Sequence, residues 1–360
     1  MINKVVLSEL MDNRRNNLDL IRFLAATLVI FSHSYPLVYT NNELEPLYFI
    51  SNQKTFGELA VAVFFIISGF LITQSFERSS SSSRYFLSRF LRIFPGLIGC
   101  LLFTVFIIGP LLTSLSLREY LTDPLTYNYF TGITLLPNLS PSLPGVFESN
   151  PFGNFVNGSL WTLKFEFLFY IAVAVAGSLK LLNKKIAGLL FIICLTLTFL
   201  DFSSNIHNLF MLGSYFIGGM LVYLFRDSLV INVNNAILSL VILISTTLLG
   251  YLEAGVAVAG TYLIIFIGYQ QKIVFPNFSK YGDISYGLYI YAFPIQQAVI
   301  AIFGYSMTPI NNFLISLPFV GLMSFLSWHL IEKKALKLKK KKITAIPKSQ
   351  IITNTKSSGI

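Results

Sequence analysis

Apolar positions along this chain come in long unbroken runs separated by short polar segments. Runs such as LLFTVFIIGPLL (Leu101–Leu112) and LLFIICLTLTFL (Leu189–Leu200) lack the period-two alternation of barrel strands. About 20 apolar residues in a helix cross a hydrocarbon core of roughly 30 Å. Backbone groups in lipid must bond within the chain, so such runs predict transmembrane helices. Ten are placed, at about 18–38, 57–76, 94–113, 159–178, 186–202, 208–225, 235–252, 255–271, 284–303 and 311–331. The predicted fold class is all-α: a polytopic integral membrane protein of about ten transmembrane helices.

The polar segments orient those helices. Arg14, Arg15, Arg78, Arg84, Arg89, Arg92, Lys180, Lys184, Lys185, Arg226, Lys272, Lys280 and the KKALKLKKKK tail fall in every second segment. The alternate segments hold little more than Lys54 and Arg118. The positive-inside rule places the basic set in the cytoplasm, so both termini are expected there. This alternation supports an even helix count, since a miscounted span would break it. A membrane domain is expected over 1–342 and a disordered cytoplasmic tail over 343–360, with its lysines against anionic headgroups.

Composition agrees. Charged residues are 12% of the chain, about half the usual 25% of soluble domains, and mean hydropathy is +0.68. The net charge of +10 invites a nucleic-acid reading, but its cluster positions at span ends favour the membrane surface. The first apolar run could be a signal peptide. Its length, Arg22, His33 and the following Tyr35-Pro36 favour a retained helix. Cys100 and Cys194 both lie inside apolar runs and read as packing residues. No spacing suggests a metal site, and no G-x-x-x-x-G-K-[ST] loop suggests ATP hydrolysis. Ser79–Ser83 reads as a flexible linker. The longest outer loop, Ser114–Gly158, is rich in Pro, Asn and Tyr, and fits either an acceptor entrance or an interfacial loop with aromatic anchors.

Ionisable groups within spans are costly and mark function by default. Arg22 and His33 are eleven residues apart, about three turns, so they share a face roughly 16 Å apart along the axis. Asp19 lies one turn before Arg22, in reach of its guanidinium. In SLWTLKFEFLFY, Trp161 suits the outer interface and Glu166 lies about 7–8 Å deeper. His33 and Glu166 reach similar depths, so a carboxylate–histidine pair is possible; it would fix the tautomer of a general base. A helix–helix hydrogen bond from a protonated Glu166 is the bland alternative. Lys164, two residues from Glu166, does not face it. Arg89 and Arg92 stand one turn apart before the third span, where forked guanidiniums suit phosphate. Topology alone would also put arginines there. Ser68 either bonds a ligand or packs helices beside Gly69.

These segments together resemble the membrane acyltransferase-3 family, whose members O-acylate sugars and related acceptors. The likeness runs in order through LDLIRFLAATLVIFSH (Arg22, His33), VFFIISGFLIT (Val63–Thr73), RFLRIFP (Arg89, Arg92), LWTLKFEFLFY (Glu166), ISYGLYIYAFPI (Ile284–Ile295) and SWHLIEKKA around Glu332. Tyr291-Ala292 stands where the family usually has Trp-His, and Lys334 replaces the usual proline. The esterase-like domain that some relatives carry after the membrane domain is not expected here. The resemblance implies an O-acyltransferase of the plasma (inner) membrane. Acyl-CoA, with acetyl favoured, would be the donor and a cell-surface carbohydrate or glycoconjugate the acceptor. Arg22, Arg89, Arg92 and Ser68 would bind the donor, and His33 with Glu166 would act in catalysis. Direct attack by the acceptor hydroxyl and an acyl-histidine intermediate both fit. The rival class is a transporter or flippase of a glycolipid or weak acid, which would show inverted repeats or broken paired helices. A non-catalytic membrane scaffold leaves Arg22, His33 and Glu166 without a purpose.

Overall fold

The computed structural model describes residues 5–12, 15–135, 142–270, 272–275, 278–304 and 306–344. Arg14 and residues 345–360 of the expected tail lie outside them. Helices are the regular structure of the described residues, joined by turns and loops, with the isolated bridges Val6–Val230 and Thr113–Val146 besides. Among the described residues, eight helices are long and apolar enough to cross a membrane: α1 (Leu18–Tyr39), α2 (Phe56–Glu77), α3 (Ser82–Leu112), α4 (Leu160–Ser178), α6 (Ser204–Leu224), α8 (Leu252–Tyr269), α9 (Ser285–Phe303) and α10 (Pro309–Leu338). Between them lie α5 (Lys184–Leu197), of 14 residues, and α7 (Val233–Leu248), of 16. The protein is therefore a polytopic, all-helical membrane protein. The runs expected at 186–202 and 235–252 make helices shorter than a perpendicular crossing, about 24 Å for 16 residues. Beyond α7 the chain turns at Gly250, whose φ of 86° lies in the left-handed region that glycine tolerates.

One boundary is corrected. The expected linker at Ser79–Ser83 caps a helix: Ser81 Oγ accepts the Arg84 N–H, and α3 begins at Ser82. Arg84, Arg89 and Arg92 thus sit on the first turns of a 31-residue helix, not in a loop before it. Serines favour caps because their hydroxyls satisfy free N–H groups at a helix start.

Apolar packing at the α2–α6 crossing brings two backbones together. A Cβ added at Gly69 would overlap the Phe216 carbonyl, and one at Gly219 the Ile66 carbonyl. Small residues let helices approach this closely where lipid offers no hydrophobic drive. Gly69 thus serves packing, while Ser68 beside it faces a cleft.

Loops gather at the two ends of the bundle. At one end, Leu7 N–H donates to the Leu229 carbonyl (2.9 Å), and Arg226 pairs with Glu77 (2.9 Å). At the other, Lys54 pairs with Glu58 (3.1 Å) and Glu253 (2.5 Å), and Gln53 Nε2 donates to the Thr247 carbonyl (2.8 Å). We call these the inner and outer ends. Burial pulls the Lys54 amine down, but the two carboxylates outweigh it and hold it above its ordinary value. The long outer loop is structured where described, with short helices at Leu117–Thr122 and Pro124–Asn128. Gln297 on α9 donates to the Gly153 and Phe155 carbonyls (3.2 and 2.9 Å) and accepts from Asn150 Nδ2 (2.7 Å), fastening this loop to the bundle.

Candidate active site

Two clefts enter the bundle from opposite ends. The inner cleft is lined by Arg22, Ser68, Arg89, Arg92, Glu166 and Tyr170, with apolar walls from Phe64, Phe65 and Ile72. Five of the six residues singled out in the sequence therefore meet in one space. His33 lies in the outer cleft, with Trp161, Phe152, Phe155, Asn208 and Glu58 on its walls. Arg22 and His33 face one stack of cavities from the same stripe of α1, as their spacing predicts.

The inner cleft owes its form to a carboxylate that sequence reasoning missed. Asp283, just before α9, contacts Arg22 Nη1 (3.0 Å) and Arg92 Nη2 (2.5 Å) through one oxygen. Its other oxygen accepts from Ser285 Oγ (2.6 Å). Burial alone would raise its pKa; the two guanidiniums overcome that and hold the carboxyl well below the usual carboxylate range. Arg22 thus takes Asp283, on a distant segment, as a carboxylate partner. The sequence signal was an aspartate two residues ahead of an apolar run, within an otherwise basic segment. Arg92 also lies 5.9 Å from the Trp328 ring centroid, and Arg89 5.9 Å from that of Tyr170. No carboxylate pairs with Arg89 among the described residues. It is the cation of the cleft left to meet an anion.

Glu166 is held on the inner side. Its Oε1 accepts from the Tyr170 hydroxyl one turn on and from Ser68 Oγ (3.5 Å). No hydrogen bond joins Glu166 to His33 among the described residues, so the expected pair is not formed in this structure. The physical reason is local: Tyr170, at i+4 on α4, captures the carboxylate before α1 can. His33 packs edge-on against Phe293 with centroids 5.4 Å apart, and its buried Nδ1 has no hydrogen-bond partner. Lys164 turns to Asn205 Oδ1 (2.6 Å), away from Glu166. Glu332 sits in a π-helical turn of α10, 1% exposed, accepting from Ser327 Oγ (2.8 Å). Tyr291 and Ala292 are buried in the core, and both cysteines are free. Among the described residues no cluster of three His, Cys, Asp or Glu side chains could hold a metal ion.

Comparison with known proteins identifies the family. A family model described as an acyltransferase domain matches residues 15–332, which makes the molecule a membrane-embedded acyltransferase. The chain belongs to the acyltransferase-3 family. It is 31% identical over 337 residues to an O-acetyl transferase of Shigella phage Sf6, covering 90% of this chain and 97% of that one. It is also 34% identical over 167 residues to nodulation protein 10 of Rhizobium leguminosarum bv. viciae, covering 44% and 43% of the two chains. No solved structure matches it. The protein is an integral membrane O-acetyltransferase.

Proposed function

We propose that the protein takes acetyl from acetyl-CoA at the inner end and gives it to a hydroxyl of a cell-surface carbohydrate at the outer end. The observation that carries this reading is the pair of clefts meeting inside the bundle, guanidinium-lined on one side and holding His33 on the other. The inner end faces the cytoplasm of a plasma (inner) membrane, as the placement of lysine and arginine argues; both termini and the ten-helix path follow from that. Arg89 receives a donor phosphate directly. Arg22 and Arg92, already oriented by Asp283, offer their remaining N–H groups to the same phosphates. The apolar walls of Phe64, Phe65 and Ile72 accept the pantetheine arm, and Ser68 bonds it.

In the outer cleft, Trp161, Phe152 and Phe155 give flat apolar faces for sugar rings, while Glu58 and Asn208 bond hydroxyls. His33 takes the proton from the acceptor hydroxyl as its oxygen attacks the thioester carbonyl carbon. The carbon–sulfur bond breaks, and the CoA thiolate leaves and recovers a proton. Glu166, bonded to Tyr170 and Ser68, shapes the donor side. The direct test uses purified protein in lipid nanodiscs with acetyl-CoA and the host's surface glycan. Arg89→Met is expected to raise the KM for acetyl-CoA at least about tenfold, because a charge-assisted phosphate contact contributes roughly 1.5–3 kcal/mol. An unchanged KM in the folded variant contradicts the donor placement. Absence of thiol release by wild type, with glycan present, contradicts acetyl-CoA as donor and favours transport.

A further inference from the structure

Val61 and Tyr289 line both clefts and therefore stand where the two spaces meet. Tyr289 is buried on α9, with its ring edge-on to Phe64 at 5.9 Å between centroids. Its hydroxyl lies 2.7 Å from Thr162 Oγ1. Thr162 lines the inner cleft and its neighbour Trp161 the outer one, so the bond crosses the junction.

The kind of bond matters. Three other buried tyrosines are tied to backbone: Tyr85 to the Tyr170 carbonyl (3.0 Å), Tyr120 to that of Val105 (2.8 Å), and Tyr286 to that of Ile93 (2.8 Å). In those anchors the acceptor is fixed in a helix backbone, so only the tyrosine can move. The Tyr289–Thr162 tie joins two side chains, and among the described residues neither hydroxyl has another partner. It opens by rotation about side-chain torsions alone, with both backbones in place. Thr162 also sits in the 3-10 turn Leu160–Thr162 that precedes the α-helical part of α4. The tie therefore joins α9 to the start of the helix that carries Glu166.

We propose that Tyr289, backed by Val61, is the partition that sets which acyl groups cross between the clefts and that shields the thioester from water in the outer one. This rests on the acyl-CoA reading above. A donor held by the arginines and an acceptor beside His33 can react only across this junction. With the partition closed, outer-cleft water is kept from the thioester. With it open and no acceptor present, a water oxygen attacks the carbonyl carbon and the carbon–sulfur bond breaks. Free acid and CoA thiol result, with the second water proton passing to the thiolate. A small acyl group passes a narrow opening, whereas each added methylene must displace the Tyr289 ring or Val61.

The test measures thiol release from acetyl-, propionyl- and butyryl-CoA by the full chain in nanodiscs, with and without host glycan. Tyr289→Ala is expected to raise the butyryl-to-acetyl rate ratio, and acceptor-independent thiol release, each by about tenfold or more, since a methylene in a fitted pocket is worth roughly 10–200-fold. Tyr289→Phe loses only the tie; it is expected to raise the leak while leaving chain preference as in wild type. Val61→Ala keeps the tie and should shift chain preference in the same direction, which gives a reading if Tyr289→Ala does not fold. Chain preference and leak both within about twofold of wild type in folded Tyr289→Ala and Val61→Ala, or in folded Val61→Ala alone, overturn the partition. A wild type that releases thiol from none of the three donors overturns the acyl-CoA reading itself, and the partition with it.

Discussion

Replacing Asp283 with asparagine removes the carboxylate that Arg22 and Arg92 share, while keeping its shape. Both guanidiniums then remain in a half-closed cleft with no counter-charge between them. Removing one partner of a buried ion pair costs about 3–5 kcal/mol. Here the three side chains are 17–20% exposed, and solvent screening brings the expected loss to about 2–3 kcal/mol. The loss is read by reversible unfolding in mixed micelles, with wild type and Asp283→Asn compared at one pH. Pyrophosphate should restore part of it, because an anion that binds the folded state stabilises in proportion to its occupancy. The pH dependence has a definite sign. Asp283 is held below the ordinary carboxylate range, so its contribution is complete above the unfolded value near about 3.9. It is lost only as pH falls through the lower folded value. The gap between wild type and variant should thus stay constant from neutral pH down to about 4 and narrow below that. A double-mutant cycle with Arg22→Met should return a coupling of about 1–3 kcal/mol. The reasoning is refuted if folded Asp283→Asn lies within about 0.5 kcal/mol of wild type at neutral pH and gains no more from pyrophosphate.

Three further outcomes follow from the same geometry. Gly69→Val should destabilise the protein by about 1–3 kcal/mol or prevent folding, because the new side chain meets the Phe216 carbonyl; heat-induced aggregation in detergent reports it. Lys54→Met should destabilise the outer end by leaving Glu58 and Glu253 without their cation. Because the folded amine is raised, the wild-type contribution is full below the unfolded value near about 10.4 and fades only as pH rises through the folded one. Unfolding titrations of both proteins between neutral and strongly alkaline pH check this. Gln297→Ala frees the loop that carries Phe152 and Phe155, so it should raise the KM for glycan severalfold and leave that for acetyl-CoA unchanged in steady-state assays.

The membrane character of the chain was legible because lipid demands long apolar runs and punishes misplaced charge. Helix ends were less so. Ser81 and Ser82 read as linker because a serine run has no apolar periodicity; only the cap geometry shows that α3 starts there. Residues of the inner cleft stood out separately, Arg22 and Glu166 as charges inside spans and Arg89 and Arg92 as a pair before one, and the likeness to a family joined them. Asp283 escaped because it belongs to a segment between spans, where an acidic residue costs little, and its one mark was its place beside an apolar run in an otherwise basic segment. The place of Glu166 was misjudged for a different reason. Depth along a helix gives a height in the membrane, not a partner, and Tyr170 on the same helix lies nearer than His33 can. Tyr289 was invisible as a functional group, since a tyrosine in an apolar run looks like core until two cavities are seen to end on it.

The central claim is that acetyl crosses from an inner donor to an outer acceptor with His33 as the base. Membrane vesicles containing wild type or His33→Ala, matched for folded protein, would be given radiolabelled acetyl-CoA in the presence of the host's surface glycan. Label in the glycan and free CoA would be followed together. The expected result is label in the glycan with wild type, and an initial rate about 10²–10⁴-fold lower with His33→Ala. Equal labelling by the two proteins would contradict the assignment of His33.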